Sequence, residues 1–240
     1  MLVLRRRGLF LAILVAFTSK GIWPQIADTV LPPALTTEQI VEQMQRHNRE
    51  QTEGLIHYQS VRHYQVEYRG FSTRAAAKMD VEINYDASSG KSFRIVTESG
   101  SKALCEKVLK RAVDSERDAQ RNEKSTALTM ENYRFQLAGN ESLAGRPAYI
   151  LAVEPRTKSK FLYRGKIWVD AVDFALVKVE AEPAKNPSFW IGRTHIRESY
   201  AKRGSFWLPE HNWSETKVRI GGTAVFVIDY GTYQIVANAS

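Results

Sequence analysis

Apolar and polar residues alternate with a period of two along most of this chain, and only two stretches break into the three-to-four spacing of a helix. From His57 onward Tyr58, Tyr64, Val66 and Tyr68 share one parity, opposite Gln65, Glu67 and Arg69. Met79, Val81, Ile83 and Tyr85 then alternate without a fault against Lys78, Asp80, Glu82 and Asn84. With a third strand over residues 93–97, beyond the Ser88-Ser89-Gly90 turn, this predicts an antiparallel meander with one dry face. Further strands are expected over residues 135–143, 148–154, 161–169, 174–181, 189–200, 206–218 and 223–235. They are separated by turn formers such as Ala144-Gly145-Arg146-Pro147 and Gly221-Gly222. That makes about ten strands, with no helix between them to suggest a parallel sheet. Residues 149–153 and 224–228 are apolar on both parities, so both faces of the sheet should be at least partly covered there.

Residues 161–182 form the clearest hairpin. An aromatic and β-branched run ends in Trp168-Val169-Asp170, reverses through Ala171-Val172-Asp173, and resumes with Phe174, Leu176, Val177 and Val179. An aspartate at the strand end suits the reversal, because its carboxylate can accept from a turn amide that lacks a partner. The two helices lie elsewhere. Thr36 with Gln39 three residues on has the capping-box spacing, and Ile40, Val41 and Met44 supply a narrow apolar stripe running ahead of polar residues through Glu53. A helix with so small a stripe should lie on the sheet surface. Residues 100–124 carry the stronger pattern, with Leu104, Val108, Leu109, Ala112 and Val113 on one side, and then turn polar all round after Arg117.

The length suits a single core, and 43% hydrophobic with 25% charged residues is ordinary globular composition. The N-terminus stands apart. Arg5-Arg6-Arg7, the apolar run 9–17 and a short polar segment to residue 21 follow the order of a secretory signal peptide, and the run is too short to span a bilayer, which takes about 20 residues. Residues 1–21 therefore read as a signal peptide without a clean Ala-x-Ala, 22–35 as a proline-containing linker, and 36–240 as one domain. The expected compartment is the periplasm, and an uncleaved N-terminal anchor is the alternative. Without residues 1–21 the formal charge of +8 falls to +4, thirty basic residues against 26 acidic, which calls for no nucleic-acid partner. The single cysteine, Cys105, excludes an internal disulfide and reads as a buried small hydrophobe.

The strand pair Lys166-Ile167-Trp168-Val169-Asp170 and Ala175-Leu176-Val177-Lys178-Val179-Glu180, the opening Arg146-Pro147-Ala148-Tyr149-Ile150-Leu151, and the closing Asp229-Tyr230-Gly231-Thr232-Tyr233-Gln234-Ile235 together resemble the LolA/LolB-like periplasmic lipoprotein carriers. They resemble the broader lipoprotein-sorting relatives of those carriers more closely. The resemblance spans residues 36–235 through residue-type patterns, and none of the family's functional residues maps onto this chain. It implies an α+β fold: a strongly curved antiparallel sheet, an incomplete β-barrel, with helices covering the open side over an apolar cavity for acyl chains. Physical reasoning agrees in part, since a single sheet of about ten strands must curl or split.

Candidate cavity residues are Tyr64, Val66, Met79, Val81, Ile83, Tyr85, Phe93 and Trp168. As core residues they need no special role; as cavity lining they would contact a lipid or a lipoprotein acyl chain, and how deeply the helices pack decides between the two. Trp190, Trp207 and Trp213 sit in mixed polar strands and could mark a partner or membrane contact. His57 and His63 share a solvated parity, while His195 and His211, near Glu198, Glu210 and Glu215, are the only residues that suggest hydrolysis. No nucleophile-elbow, zinc-protease or phosphate-loop motif occurs, so no cofactor, metal or catalytic residue is assigned. The expected function is a periplasmic carrier or binding protein for lipid or lipoprotein acyl chains, acting as a monomer. The alternative is an envelope sensor or interaction module that binds an inner- or outer-membrane protein.

Overall fold

Thr36 opens the first helix as its spacing implies. In the computed structural model, which describes residues 35–186, 191–219 and 221–237, the Gln39 amide donates to Thr36 Oγ1 (3.3 Å) and the Thr36 amide to Gln39 Oε1 (2.9 Å). Helix α1 (Thr37–Gly54) buries its narrow stripe of Ile40, Val41 and Met44 completely. Two polar contacts pin its ends to the sheet: the Leu137 amide donates to Thr37 Oγ1 (3.2 Å) and the Trp207 amide to Gln51 Oε1 (2.8 Å). The leader, the linker up to residue 34, and the expected strand residues Phe189 and Trp190 lie outside the described residues.

The strands are β1 (Leu55–Arg69), β2 (Arg74–Asp86), β3 (Gly90–Gly100), β4 (Tyr133–Leu143), β5 (Arg146–Pro155), β6 (Tyr163–Asp170), β7 (Leu176–Pro183), β8 (Ile191–Arg203), β9 (Phe206–Val218), β10 (Thr223–Tyr230) and β11 (Gln234–Ala237). They form one antiparallel sheet of 11 strands in the order β3-β2-β1-β10-β9-β8-β7-β6-β5-β4, with β11 added beside β1. The β3 and β4 edges do not pair, so this is an open sheet, an incomplete barrel. Its non-consecutive neighbours are β1 with β10 and β1 with β11, which bring the N-terminal meander against the end of the chain.

The period-two pattern of β1 and β2 sets their faces. Buried and exposed positions alternate along both strands, and thirteen residue pairs from His57↔Asp86 to Arg69↔Arg74 hold the register. The helix that follows β3 is segmented: α2 (Lys102–Leu104), a π-helical turn (Cys105–Leu109), α3 (Lys110–Arg121) and α4 (Glu123–Thr126). Cys105, Leu109 and Val113 point into the sheet, as their spacing requires. The Cys105 thiol is buried and donates to the Ser99 carbonyl at 3.7 Å.

The β6–β7 hairpin is shorter than its composition suggests. Phe174 is not a strand residue; it takes a left-handed φ of 57° in the reversal and stacks on Tyr149. The turn is held by Asp170, whose Oδ1 accepts from the amides of Val172 (2.9 Å) and Asp173 (2.7 Å), while Arg146 binds the same carboxylate through Nε (2.6 Å) and Nη2 (2.8 Å). Asp173 then reaches Lys202 (2.7 Å) and Trp207 Nε1 (2.9 Å), tying the hairpin to β8 and β9. A bulge between Trp168↔Lys178 and Val169↔Leu176 leaves Val177 as the extra residue. It therefore joins Trp168 and Ala148 in a small cluster on the outer face.

Candidate ligand site

The sheet presents one face to the helices, and three zones of that face differ. Over β1–β3, Tyr64, Val66, Met79, Val81 and Ile83 are at most 1% exposed and pack with Cys105, Leu109 and Val113 of the middle helix. Tyr85 and Phe93 sit partly buried at the margin of this cluster. Over β4–β7, α1 presses Ile40, Val41 and Met44 onto Tyr133, Leu151, Val153, Ile167, Val169 and Val179. Between the two dry clusters the helices cover β8, β9 and β10 less completely, although Phe206, Leu208 and Ile228 are buried at the ends of these strands. Ile196, Glu198, Tyr200, Asn212, Ser214, Phe226 and Tyr230 keep part of their surface accessible there, deep in the concave face.

The register shows how this middle zone bridges the two clusters. One cross-strand row runs Val179, Glu198, Asn212, Ile228, Tyr64, Met79, and the next runs Ala181, Ile196, Ser214, Phe226, Val66, Ala77. Both rows are apolar at their ends; the first is polar at β8 and β9, through Glu198 and Asn212, and the second at β9, through Ser214. The result is a trough whose ends are the two cores and whose floor carries hydrogen-bonding groups. Of the residues expected to line a cavity, seven come together in or beside the β1–β3 cluster, and Tyr64 and Val66 border the trough. Trp168 is on the opposite face, under the Lys178 ammonium at 4.2 Å, and its Nε1 has no acceptor among the described residues.

Two carboxylates stand at the trough. Glu116 on α3 receives Arg62 Nη1 (2.5 Å) and Lys91 Nζ (3.0 Å). Burial opposes its ionisation, yet Lys91 and Arg62 together hold the carboxyl below its usual value. Arg62 is itself 2% exposed and lies over the Tyr230 ring at 4.7 Å. Glu198 has the opposite environment: Asn212 Nδ2 donates to Oε1 (2.5 Å), the Tyr200 hydroxyl donates to Oε2 (3.0 Å), and burial pushes its carboxyl up. Burial also pushes up the neighbouring hydroxyls of Tyr163, Tyr200 and Tyr230. In sequence Glu198 draws notice only as a carboxylate near His195 and His211, and Glu116 does not stand out.

The histidines fall outside the trough. His195 pairs with Glu182 (3.4 Å) and His211 with Asp229 (2.6 Å), both on the outer face, and neither meets Glu198. Trp213 also faces outward beneath Arg197 at 5.0 Å, and Trp207 hydrogen-bonds Asp173. That outer face carries an open groove of about 1360 Å³ whose charged lining includes Arg134, Lys166, Glu180, Glu182 and Arg197.

Comparison with known proteins gives a family match over part of the chain and a set of similar solved structures. Residues 72–184 match the MucB/RseB N-terminal domain family. This match covers a little under half of the chain, within the span over which the strand motifs resemble the LolA-like proteins. Among solved structures, an outer membrane lipoprotein-sorting domain of Vibrio parahaemolyticus is 10% identical, with 85% of this chain and 95% of that one covered and a TM-score of 0.41. A LolA superfamily protein of Nitrosomonas europaea is 16% identical over 85% and 94% of the two chains, with a TM-score of 0.37. MucB in the MucA/MucB complex of Pseudomonas aeruginosa is 12% identical over 82% and 94%, with a TM-score of 0.27. No curated protein sequence matches the chain.

Proposed function

We propose that the chain is an exported, periplasmic binding protein for lipid or lipoprotein acyl chains, which lie in the trough over β8–β10. The less covered middle zone carries this reading. The helices seal the concave face on both sides and leave an accessible strip between two apolar clusters, whose walls can take up a chain from water at about 25 cal/mol per Å² of apolar surface. The Arg5–Arg7 leader and the apolar run 9–17 support export, and among the described residues no helix is long and apolar enough to cross a membrane. Titration of delipidated protein with a long-chain fluorescent fatty acid should give a saturable signal, and native mass spectrometry of protein from a cell envelope should show bound lipid. A flat titration with lipid-free spectra would overturn the reading. The family match over residues 72–184 favours a second reading, an interaction module for a membrane protein, which a stable lipid-free complex with the exported part of such a protein would support.

A further inference from the structure

Glu198 is the least compensated charge in the trough. Among the described residues no cation forms an ion pair with it, whereas Glu116, facing the same space, has two. Its two hydrogen bonds come from neutral donors, one to each oxygen, and each oxygen keeps acceptor capacity. Tyr163 and Tyr200 neighbour it, and aromatic side chains attract cations most strongly where water is excluded, whereas the Tyr230 ring is already taken by Arg62. A buried carboxylate without a counter-charge is costly, so the site is either neutral when empty or completed by a cation from outside. The trough stays accessible at this carboxylate, which provides the way in.

Building on the acyl-binding reading, we propose that the trough selects amphiphiles whose head group carries an ammonium, seated on Glu198 beside Tyr163 and Tyr200, with the chain running along the apolar rows beside Phe226. The row order supports the placement. Glu198 lies at the junction of the polar floor with the α1 cluster, so a head group there leaves Ile228 and Phe226 to contact the chain.

The test measures displacement of a bound fluorescent fatty acid by three single-chain amphiphiles of equal length: dodecyltrimethylammonium, dodecyl maltoside and dodecyl sulfate. Each is kept below its micelle concentration and tested on the wild-type chain and on Glu198→Gln. The expected result is a preference of about tenfold or more for the ammonium, worth about 1.4 kcal/mol, that disappears in Glu198→Gln while the maltoside affinity is unchanged. Thermal melting checks that the variant is folded. Equal affinity for ammonium and maltoside, or a preference that survives Glu198→Gln, overturns the inference and leaves the acyl-binding reading intact. Failure of all three to displace the probe, or of the probe itself to bind, overturns both. Displacement by a short lysine peptide as effective as that by the ammonium amphiphile overturns the assignment to a lipid head group.

Discussion

The middle helix packs tightly over β1–β3 and the trough over β8–β10 is open, a contrast that a pair of substitutions adding the same ring can measure. Val81 is 0% exposed among Met79, Ile83, Cys105, Leu109 and Val113, and Ser214 lies mid-trough between Ile196 and Phe226 with its surface partly accessible. Forcing extra carbons into a close-packed core costs about 1–3 kcal/mol through displaced rotamers and backbone. Val81→Phe should carry that cost, and at roughly 2–4 °C per kcal/mol for a chain of this size its melting temperature should fall by about 2–12 °C. Ser214→Phe has space to enter and removes no hydrogen bond from the fold, so its cost should stay below about 1 kcal/mol. The assay is urea and thermal unfolding followed by circular dichroism, with acyl-probe titration of each variant. Ser214→Phe should weaken probe binding at least tenfold, and Val81→Phe should leave it within about twofold. If Val81→Phe melts like the wild type while Ser214→Phe is the strongly destabilised variant, the open space lies under the middle helix and the trough is ordinary core.

Asp170→Ala removes the acceptor of both turn amides and of Arg146 together, and should cost about 2–3 kcal/mol, less than a fully buried pair because Arg146 reaches solvent. Burial works against the Asp170 charge, but Arg146 and the two amides outweigh it and hold the carboxyl below its usual value. Its stabilisation is therefore full above the unfolded aspartate pKa and lost as pH falls through the lower folded one, so wild type and variant should converge in stability in strong acid. Glu198→Gln should act in the opposite sense. A carboxyl raised in the folded state favours folding at low pH and penalises it as pH rises through the folded pKa, so the variant should melt higher than wild type at pH 8 and about equally at pH 4; a lower melting point at pH 8 would contradict this. Gly165→Ala, at φ 151° with a Cβ that would lie 2.3 Å from the Glu180 carbonyl oxygen, should destabilise by about 1–3 kcal/mol or more in urea unfolding. A neutral result there would mean that β6 and β7 can separate locally.

The local chemistry of this chain was legible in its sequence wherever one element decides the outcome. The capping box at Thr36, the three-residue stripe of α1, the alternation of β1 and β2 and the turn-holding role of Asp170 are set by near neighbours, and each appears as its spacing implies. The antiparallel class followed from the absence of crossover helices. Tertiary structure alone decided the features that depend on residues far apart in the chain. The bulge that places Val177 and Trp168 together on the outer face depends on how β6 and β7 pair, and a shift of one residue in a period-two pattern exchanges the faces. Glu116 reads as one more polar position on the middle helix until Arg62 and Lys91, 54 and 25 residues away, meet it. The trough is the clearest case. It consists of what α1 and the middle helix leave accessible, and an accessible strip has no residue pattern of its own, because it is set by where two helices stop and by the pairing that places β8, β9 and β10 between them.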